Sequence, residues 1–260
     1  MEFTVRGTKT YAATGGKEFD NNLETLVFLH GTGLDHRCWA LQTRWFAYNG
    51  YSVFAPDFPG HSLSEGTPLS SIEDMAHWLI EALAATGIKK AHIVGHSQGF
   101  LCALELARQA PERVASLIGI GTAAAIPVNP ALIEAAQRSS AEAANMLIQW
   151  GFGHKAHMGI SAVPGMQPIA IGRQIMAENP VEADLRACAS YTSGEQAAAE
   201  ILVPCHLILA NQDKLTPLKA GLALAKQLNA NHSIIDGYGH MLPIEAPKQC
   251  LQALRNIITS

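Results

Sequence analysis

Apolar and polar positions along this chain alternate in a way that sorts it into short buried runs and longer mixed stretches. Apolar runs recur near positions 4–5, 11–13, 25–29, 52–55, 91–94 and 113–118. Continuous apolar runs of this length, closed by glycine or polar turns, predict strands buried on both faces of a sheet. The stretches between them at 37–48, 71–86 and 97–109 fit helices. Ser71 stands as an N-cap before Glu73 and Asp74, whose charges suit a helix's first turn. The alternation stops after about residue 120. Residues 123–199 are rich in Ala, Gln, Met and Gly, are punctuated by Pro127, Pro130, Pro164, Pro168 and Pro180, and predict several helices and no strand. A strand at 201–209 and a short one at 233–235 resume the pattern, and an amphipathic stretch at 244–258 ends it. The expected fold class is α/β: a mostly parallel eight-stranded sheet flanked by helices, with residues 1–122 and 200–260 forming the core and 123–199 a helical insertion.

The run at 91–94 leads into Gly95-His96-Ser97-Gln98-Gly99 and then a helical stretch. Strand, G-x-S-x-G, helix is the context of a strained turn that lifts a serine hydroxyl above a sheet, with a glycine on either side where a Cβ would collide. The helix that starts there turns its positive end toward any negative charge formed at the site. Such a serine needs a base, because a free hydroxyl is a weak nucleophile at neutral pH. The order Ser, Asp, His is completed by Asp213, which follows the run at 201–209, and by His240 in the loop Asp236-Gly237-Tyr238-Gly239-His240. Ser97 would attack, His240 would carry the proton, and Asp213 would hold the imidazole's tautomer and charge. Asp236, four residues before His240, is the rival acid. His61 reads as structural. His96 reads as buried, hydrogen-bonded and pointing away from Ser97, and His154 and His157 as pocket candidates. An oxyanion needs two N–H donors. Gln98 follows the serine, and Thr32 lies in His30-Gly31-Thr32-Gly33 after the apolar run at 25–29. The pair Gly31 and Gly33 is no dinucleotide fingerprint, because His36 stands where its third glycine belongs.

A length of 260 residues, 48% of them apolar and 15% charged, suits one large α/β domain with a buried core. The net charge of −4 and the absence of a basic stripe argue against a nucleic-acid partner. The five cysteines, at 38, 102, 188, 205 and 250, show no C-x-x-C and read as reduced, packed thiols. No metal-ligand spacing or cofactor motif is present, so the expectation is a reaction without metal or cofactor. No basic-then-apolar start and no run of about 18 apolar residues is found, so a cytoplasmic protein off the membrane, monomer or homodimer, is expected.

These motifs resemble the α/β-hydrolase superfamily nearly end to end. Pro56-Asp57-Phe58-Pro59-Gly60-His61-Ser62-Leu63-Ser64 is similar to the family's D-x-P-G-H-G-x-S loop, with Ser62 in place of a glycine. Gly237-Tyr238-Gly239-His240 with Glu245-Ala246-Pro247 resembles its G-x-G-H-x-x-x-x-E-x-P ending, and Ala210 replaces the glycine of G-x-x-D-x-x-T-P. A serine at the elbow speaks against the epoxide hydrolase and haloalkane dehalogenase branches. The resemblance implies that 123–199 is a helical cap inserted after strand 6 over the site. Its candidate pocket residues are Met146, Trp150, Phe152, Met158, Met166, Ile169 and Met176, with His36, Arg37 and Met241 as further substrate contacts. Arg37 can equally pair with Asp35. The reaction implied is hydrolysis of a small to medium carboxylic ester, lactone or thioester through an acyl-enzyme on Ser97. A C–C hydrolase, with Arg173 or Arg186 gripping a carboxylate, a cofactor-free perhydrolase, and a small-molecule sensor on the same fold are the alternatives.

Overall fold

The computed structural model describes residues 1–161 and 163–259. In chain order the elements are β1 (Glu2–Val5), β2 (Thr8–Ala13), β3 (Thr25–Leu29), α1 (Ala40–Ala47), β4 (Ser52–Pro56), α2 (Ile72–Ala85), β5 (Ala91–His96), α3 (Gln98–Gln109) and β6 (Val114–Ile120). There follow α4 (Pro130–Arg138), α5 (Ser140–Gly151), α6 (His154–His157), α7 (Pro168–Glu178), α8 (Val181–Ser190) and α9 (Gly194–Glu200). The chain closes with β7 (Cys205–Ala210), α10 (Leu218–Gln227), β8 (Asn231–Ile235), α11 (Leu242–Glu245) and α12 (Pro247–Ile258).

The eight strands form one sheet in the order β1-β2-β4-β3-β5-β6-β7-β8. The first two strands join antiparallel and the other six run parallel. Every residue of β3 and β4 is buried, as expected of parallel strands covered on both faces. Alternate side chains divide the core. Val27 and Leu29 pack with Trp78, Leu79 and Phe100 from α2 and α3, while Leu26 and Phe28 pack with Phe46 of α1 and Leu254 of α12. The strand order reverses between β3 and β5, with β4 on one side and β6 on the other. The crevice at the C-terminal ends of strands about such a switch point is where parallel sheets bind ligands. The register pairs Leu29 with Gly95 and Gly95 with Gly119, so the loops leaving β3, β5 and β6 emerge side by side on that edge.

Local chemistry accounts for the element ends. Ser71 Oγ accepts the Asp74 N–H at 3.1 Å and starts α2 one residue later than the stretch began. Ser71→Ala is expected to cost about 1 kcal/mol in urea denaturation with an unchanged m-value. The expected strand at 201–209 begins only at Cys205, because Pro204 has no N–H and offers the ladder its carbonyl alone, to Leu117 N at 2.9 Å. The stretch 244–258 is two helices, broken at Ala246 by Pro247 at the start of α12. The helix expected at 37–48 opens as a 3₁₀ turn, His36–Trp39, capped by Asp35.

Between β6 and β7 lie helices and, among the described residues, no strand. Helices α4, α5, α7 and α8 pack on one another. A boundary at 199 would place α9 with them, but α9 packs on α3 and α10, and its Ala197 and Ala198 are buried in the sheet-side core. Among the described residues no helix is long and apolar enough to cross a membrane.

Candidate active site

Ser97 sits at φ 52° and ψ −118°, between the end of β5 and the first residue of α3. An L-residue pays about 1–3 kcal/mol to hold a left-handed backbone like this, so the surroundings must enforce it. Ser97 N donates to Ile120 O at 3.0 Å, and Ser97 O accepts Phe100 N–H at 3.0 Å and Thr122 Oγ at 3.2 Å. The flanking glycines are obligatory. A Cβ on Gly95 would stand 2.6 Å from Phe100 N, and one on Gly99 2.5 Å from Leu29 O. Ser97 is thereby fixed on the wall of a cavity of about 250 Å³ that His240 and Thr32 also line.

Asp213 follows β7 and His240 follows β8, and the parallel pairing of these strands brings the two residues together. Asp213 Oδ2 lies 2.8 Å from His240 Nδ1. The same oxygen takes the Thr216 hydroxyl at 2.7 Å, while Oδ1 takes the N–H groups of Leu215 and Thr216 at 2.9 and 2.8 Å. Burial raises the carboxyl's pKa, but His240 and these donors outweigh it and hold Asp213 below the usual carboxylate range. With the Nδ1 proton directed at the carboxylate, His240 Nε2 is left as an acceptor. The rival acid is elsewhere: Asp236 is exposed and accepts from Asn211 Nδ2 at 2.9 Å.

His240 is also held by its backbone. Its N–H donates to Gly151 O at 2.6 Å, and its carbonyl accepts a hydrogen bond from His96 Nε2 at 2.9 Å. His96 is buried, lies 4.8 Å from the His240 ring at a tilt of 50° and borders the cavity as well. Burial and the neighbouring His240 push its pKa down to about 3, so it acts as a neutral prop. Its Nδ1 would lie 2.7 Å from a Cβ at Gly31, which is why that position carries none. Glu245 accepts Met241 N–H at 3.0 Å and Gly153 N–H at 2.9 Å, closing the histidine loop against the end of α5.

Residues 26–253 match the alpha/beta hydrolase family. The chain belongs to that family. Over 122 residues it is 38% identical to the dihydrolipoyllysine-residue acetyltransferase component of the acetoin cleaving system of Cupriavidus necator, a match spanning 44% of this chain and only 30% of that protein. It is 27% identical to the pimeloyl-[acyl-carrier protein] methyl ester esterase of Aromatoleum aromaticum across 91% of this chain and 99% of the relative. It is 24% identical to 3-oxoadipate enol-lactonase 1 of Acinetobacter baylyi across 92% and 90%. The crystal structure of the enol-lactonase from Burkholderia xenovorans LB400 superposes with a TM-score of 0.88 at 20% identity, covering 100% of both chains.

In this hydrolase the cavity selects among the expected pocket residues. Trp150 and Met241 line it, and His36, Arg37, Met146 and Phe152 do not. His36 is taken up by Asp57, 2.9 Å from its Nδ1, and its ring lies tilted against Tyr11. Arg37 pairs with buried Asp35 at 2.7 Å and with Glu178 at 2.7 Å, the local pairing that its spacing from Asp35 allowed. Phe152 is buried and packs against Gly172, where a Cβ would meet its ring at 2.9 Å. Met146 joins the core under the insert, Met158 is 66% exposed, and Met176 lies against Gly33. His154 and His157 line a separate groove. Several lining residues escaped the sequence reading: Ile126 and Asn129 in the loop after β6, Leu185 and Cys188 on α8, and Lys214. Lys214 was within reach, since a residue adjoining Asp213 must lie at the same sheet edge. Burial pushes the Cys188 thiol up to about 12, so it lines the cavity as a protonated, inert group. Arg173 and Arg186 are exposed and do not line the cavity, and Arg186 pairs with Glu182.

Proposed function

We propose that this chain is a serine-dependent carboxylic-ester hydrolase. The observation that carries the reading is the Asp213–His240 pair, 2.8 Å apart, presented to the cavity that Ser97 lines. Kinship with esterases and an enol-lactonase supports ester or lactone hydrolysis. Ser97 Oγ attacks the carbonyl carbon as His240 Nε2 takes its proton. The carbonyl oxygen becomes an anion facing the N–H groups of Gln98 and Thr32. His240 then protonates the departing alkoxide, leaving an acyl group on Ser97, and a water molecule repeats the sequence to release the acid. Ionised Asp213 stabilises the imidazolium in both halves. The cap in this reading is the part of 123–199 that precedes α9, through α4, α5 and α8, which contribute Leu132, Trp150 and Leu185 to the cavity.

The cavity favours a short acyl group. About 250 Å³ lies just below the ~300–1,000 Å³ common for ligand pockets. Its lining is mostly apolar, with Lys214 as the ammonium at the rim, unpaired among the described residues. A p-nitrophenyl ester series should therefore give turnover that peaks at short chains, with a Ser97-linked acyl adduct detectable by mass spectrometry. Well-folded protein showing neither turnover nor adduct would sink the proposal and favour the sensor reading. Lys214→Met is expected to raise KM about threefold to fivefold for an ester ending in a carboxylate and to leave that of the neutral ester of equal length unchanged. Lys214 also sustains one second reading, C–C cleavage of a carboxylate-bearing substrate, because it supplies the cation that Arg173 and Arg186 do not bring to the cavity.

A further inference from the structure

Three polar contacts from one helix of the insert, two of them buried, converge on the two segments that bear the proposed oxyanion donors. Asp184, on α8, is buried with 2% of its side chain exposed. Its Oδ2 accepts the Gly33 N–H at 2.7 Å, one residue past Thr32. Its backbone carbonyl accepts Gln98 Nε2 at 3.0 Å, one residue past Ser97. One turn further along α8, Cys188 Sγ meets Thr32 Oγ1 at 3.6 Å. Gly33 holds φ +66°, and a Cβ there would press within 2.8 Å of Val181 Cγ2, so α8 packs directly on the loop.

The carboxylate has a charged counterpart. His61 Nε2 lies 3.0 Å from Asp184 Oδ2, and His61 Nδ1 lies 3.2 Å from Pro59 O. Both neighbours are acceptors, so only the doubly protonated imidazole satisfies both. Burial works against that charge, yet Asp184 and Pro59 carry the His61 pKa above its ordinary value. For Asp184, burial is outweighed by His61 and Gly33, which hold its carboxyl below the usual range. His30, whose ring lies 4.9 Å from that of His61, and Asp57 are the other titratable groups facing the pair.

We propose that Asp184 is a positioning residue for the reaction: it fixes the oxyanion loop and the Gln98 segment against each other, so that the insert takes part in transition-state stabilisation. This rests on the reading above, in which Thr32 and Gln98 N–H groups receive the oxyanion. A carboxylate anchored on His61 and aimed at Gly33 N–H sets the turn of the 31–33 loop, and a shift of an ångström in a donor is enough to weaken its bond to an oxyanion formed 2.7–3.1 Å away. Both segments bond to one residue of one helix, so that residue ties their spacing directly.

The test uses the full chain with Asp184→Asn and with the double variant Asp184→Asn/His61→Gln, which removes both charges and spares the fold an unpaired buried ion. Leu79→Ala, a core truncation in α2 away from the site, serves as the control for lost stability. The expected result is a kcat about 100-fold lower with KM within about twofold, in parallel with an equal loss of affinity for an alkylboronic acid, whose tetrahedral anion on Ser97 occupies the oxyanion position. Leu79→Ala should leave kcat per folded molecule unchanged. The proposal is overturned if the double variant keeps wild-type kcat and boronate affinity, or if kcat and KM deteriorate together as in a loosened pocket. Failure of the underlying reading looks different: wild-type protein itself would neither turn over esters nor bind the boronate.

Discussion

Ser97→Ala is expected to lower ester turnover by on the order of 10⁵–10⁶-fold while leaving the thermal midpoint within about 2 °C of wild type. In the proposed mechanism the nucleophile and base act as a unit, so removing either removes the covalent route and leaves only what binding and the N–H donors supply. Alanine keeps the Cβ and so inherits the backbone strain at φ 52°. Glycine does not. Ser97→Gly should be equally inactive yet more stable, by about 1 kcal/mol or more in urea denaturation, because a glycine backbone enters this region without the steric penalty. An inactive Ser97→Gly protein no more stable than Ser97→Ala would mean that the surrounding hydrogen bonds, not the side chain's own clash, set the energy of the turn.

The second large effect separates two aspartates. Asp213→Asn is expected to reduce kcat about 10⁴-fold, because an amide in that place favours the wrong His240 tautomer and cannot balance the imidazolium. Asp236→Asn should stay within about twofold of wild type, since its carboxylate is exposed and engages Asn211. The reverse ranking would show that the acid had been misassigned. Stability gives a second readout. The Asp213 carboxyl is held below its ordinary value, so its ionised form adds stability above about pH 4, lost as pH falls through the folded pKa. Asp213→Asn should therefore be less stable than wild type at pH 7, with the gap closing toward pH 2.

The placement of Ser97, Asp213 and His240 at one edge of the sheet could be read from the chain because each follows a strand end. A buried run of β-branched and aliphatic residues fixes where a parallel strand stops, and the next residue is then at the sheet's working edge. Ser97, Asp213 and the Thr32 loop all follow such runs. Pocket contacts in the insert obey no such rule. An apolar residue on a helix faces either a neighbouring helix or the cavity, and composition does not distinguish the two. Trp150 turns to the cavity, whereas Phe152, two residues on, turns to Gly172. His36 and Arg37 sit close after the 31–33 loop in sequence, but nearby carboxylates claim them: Asp57, Asp35 and Glu178. Asp184 gave no signal at all, because its partners lie 123 and 151 residues away.

The bond from His240 N–H to Gly151 O, together with Gly153 N–H on Glu245, has a consequence for anyone recombining such proteins. Specificity within a family is commonly sought by exchanging the insertion over the pocket as a module. Here the end of α5 is sewn to the loop that carries His240, with Gly239 pressed so close to Gly151 O that a Cβ would approach within 2.5 Å. A chimera cut at residues 123 and 199 separates that seam from its counterpart. Grafts that carry residues 237–245 along with the donor's insertion should keep turnover, and those that exchange the insertion alone should lose it even when they fold.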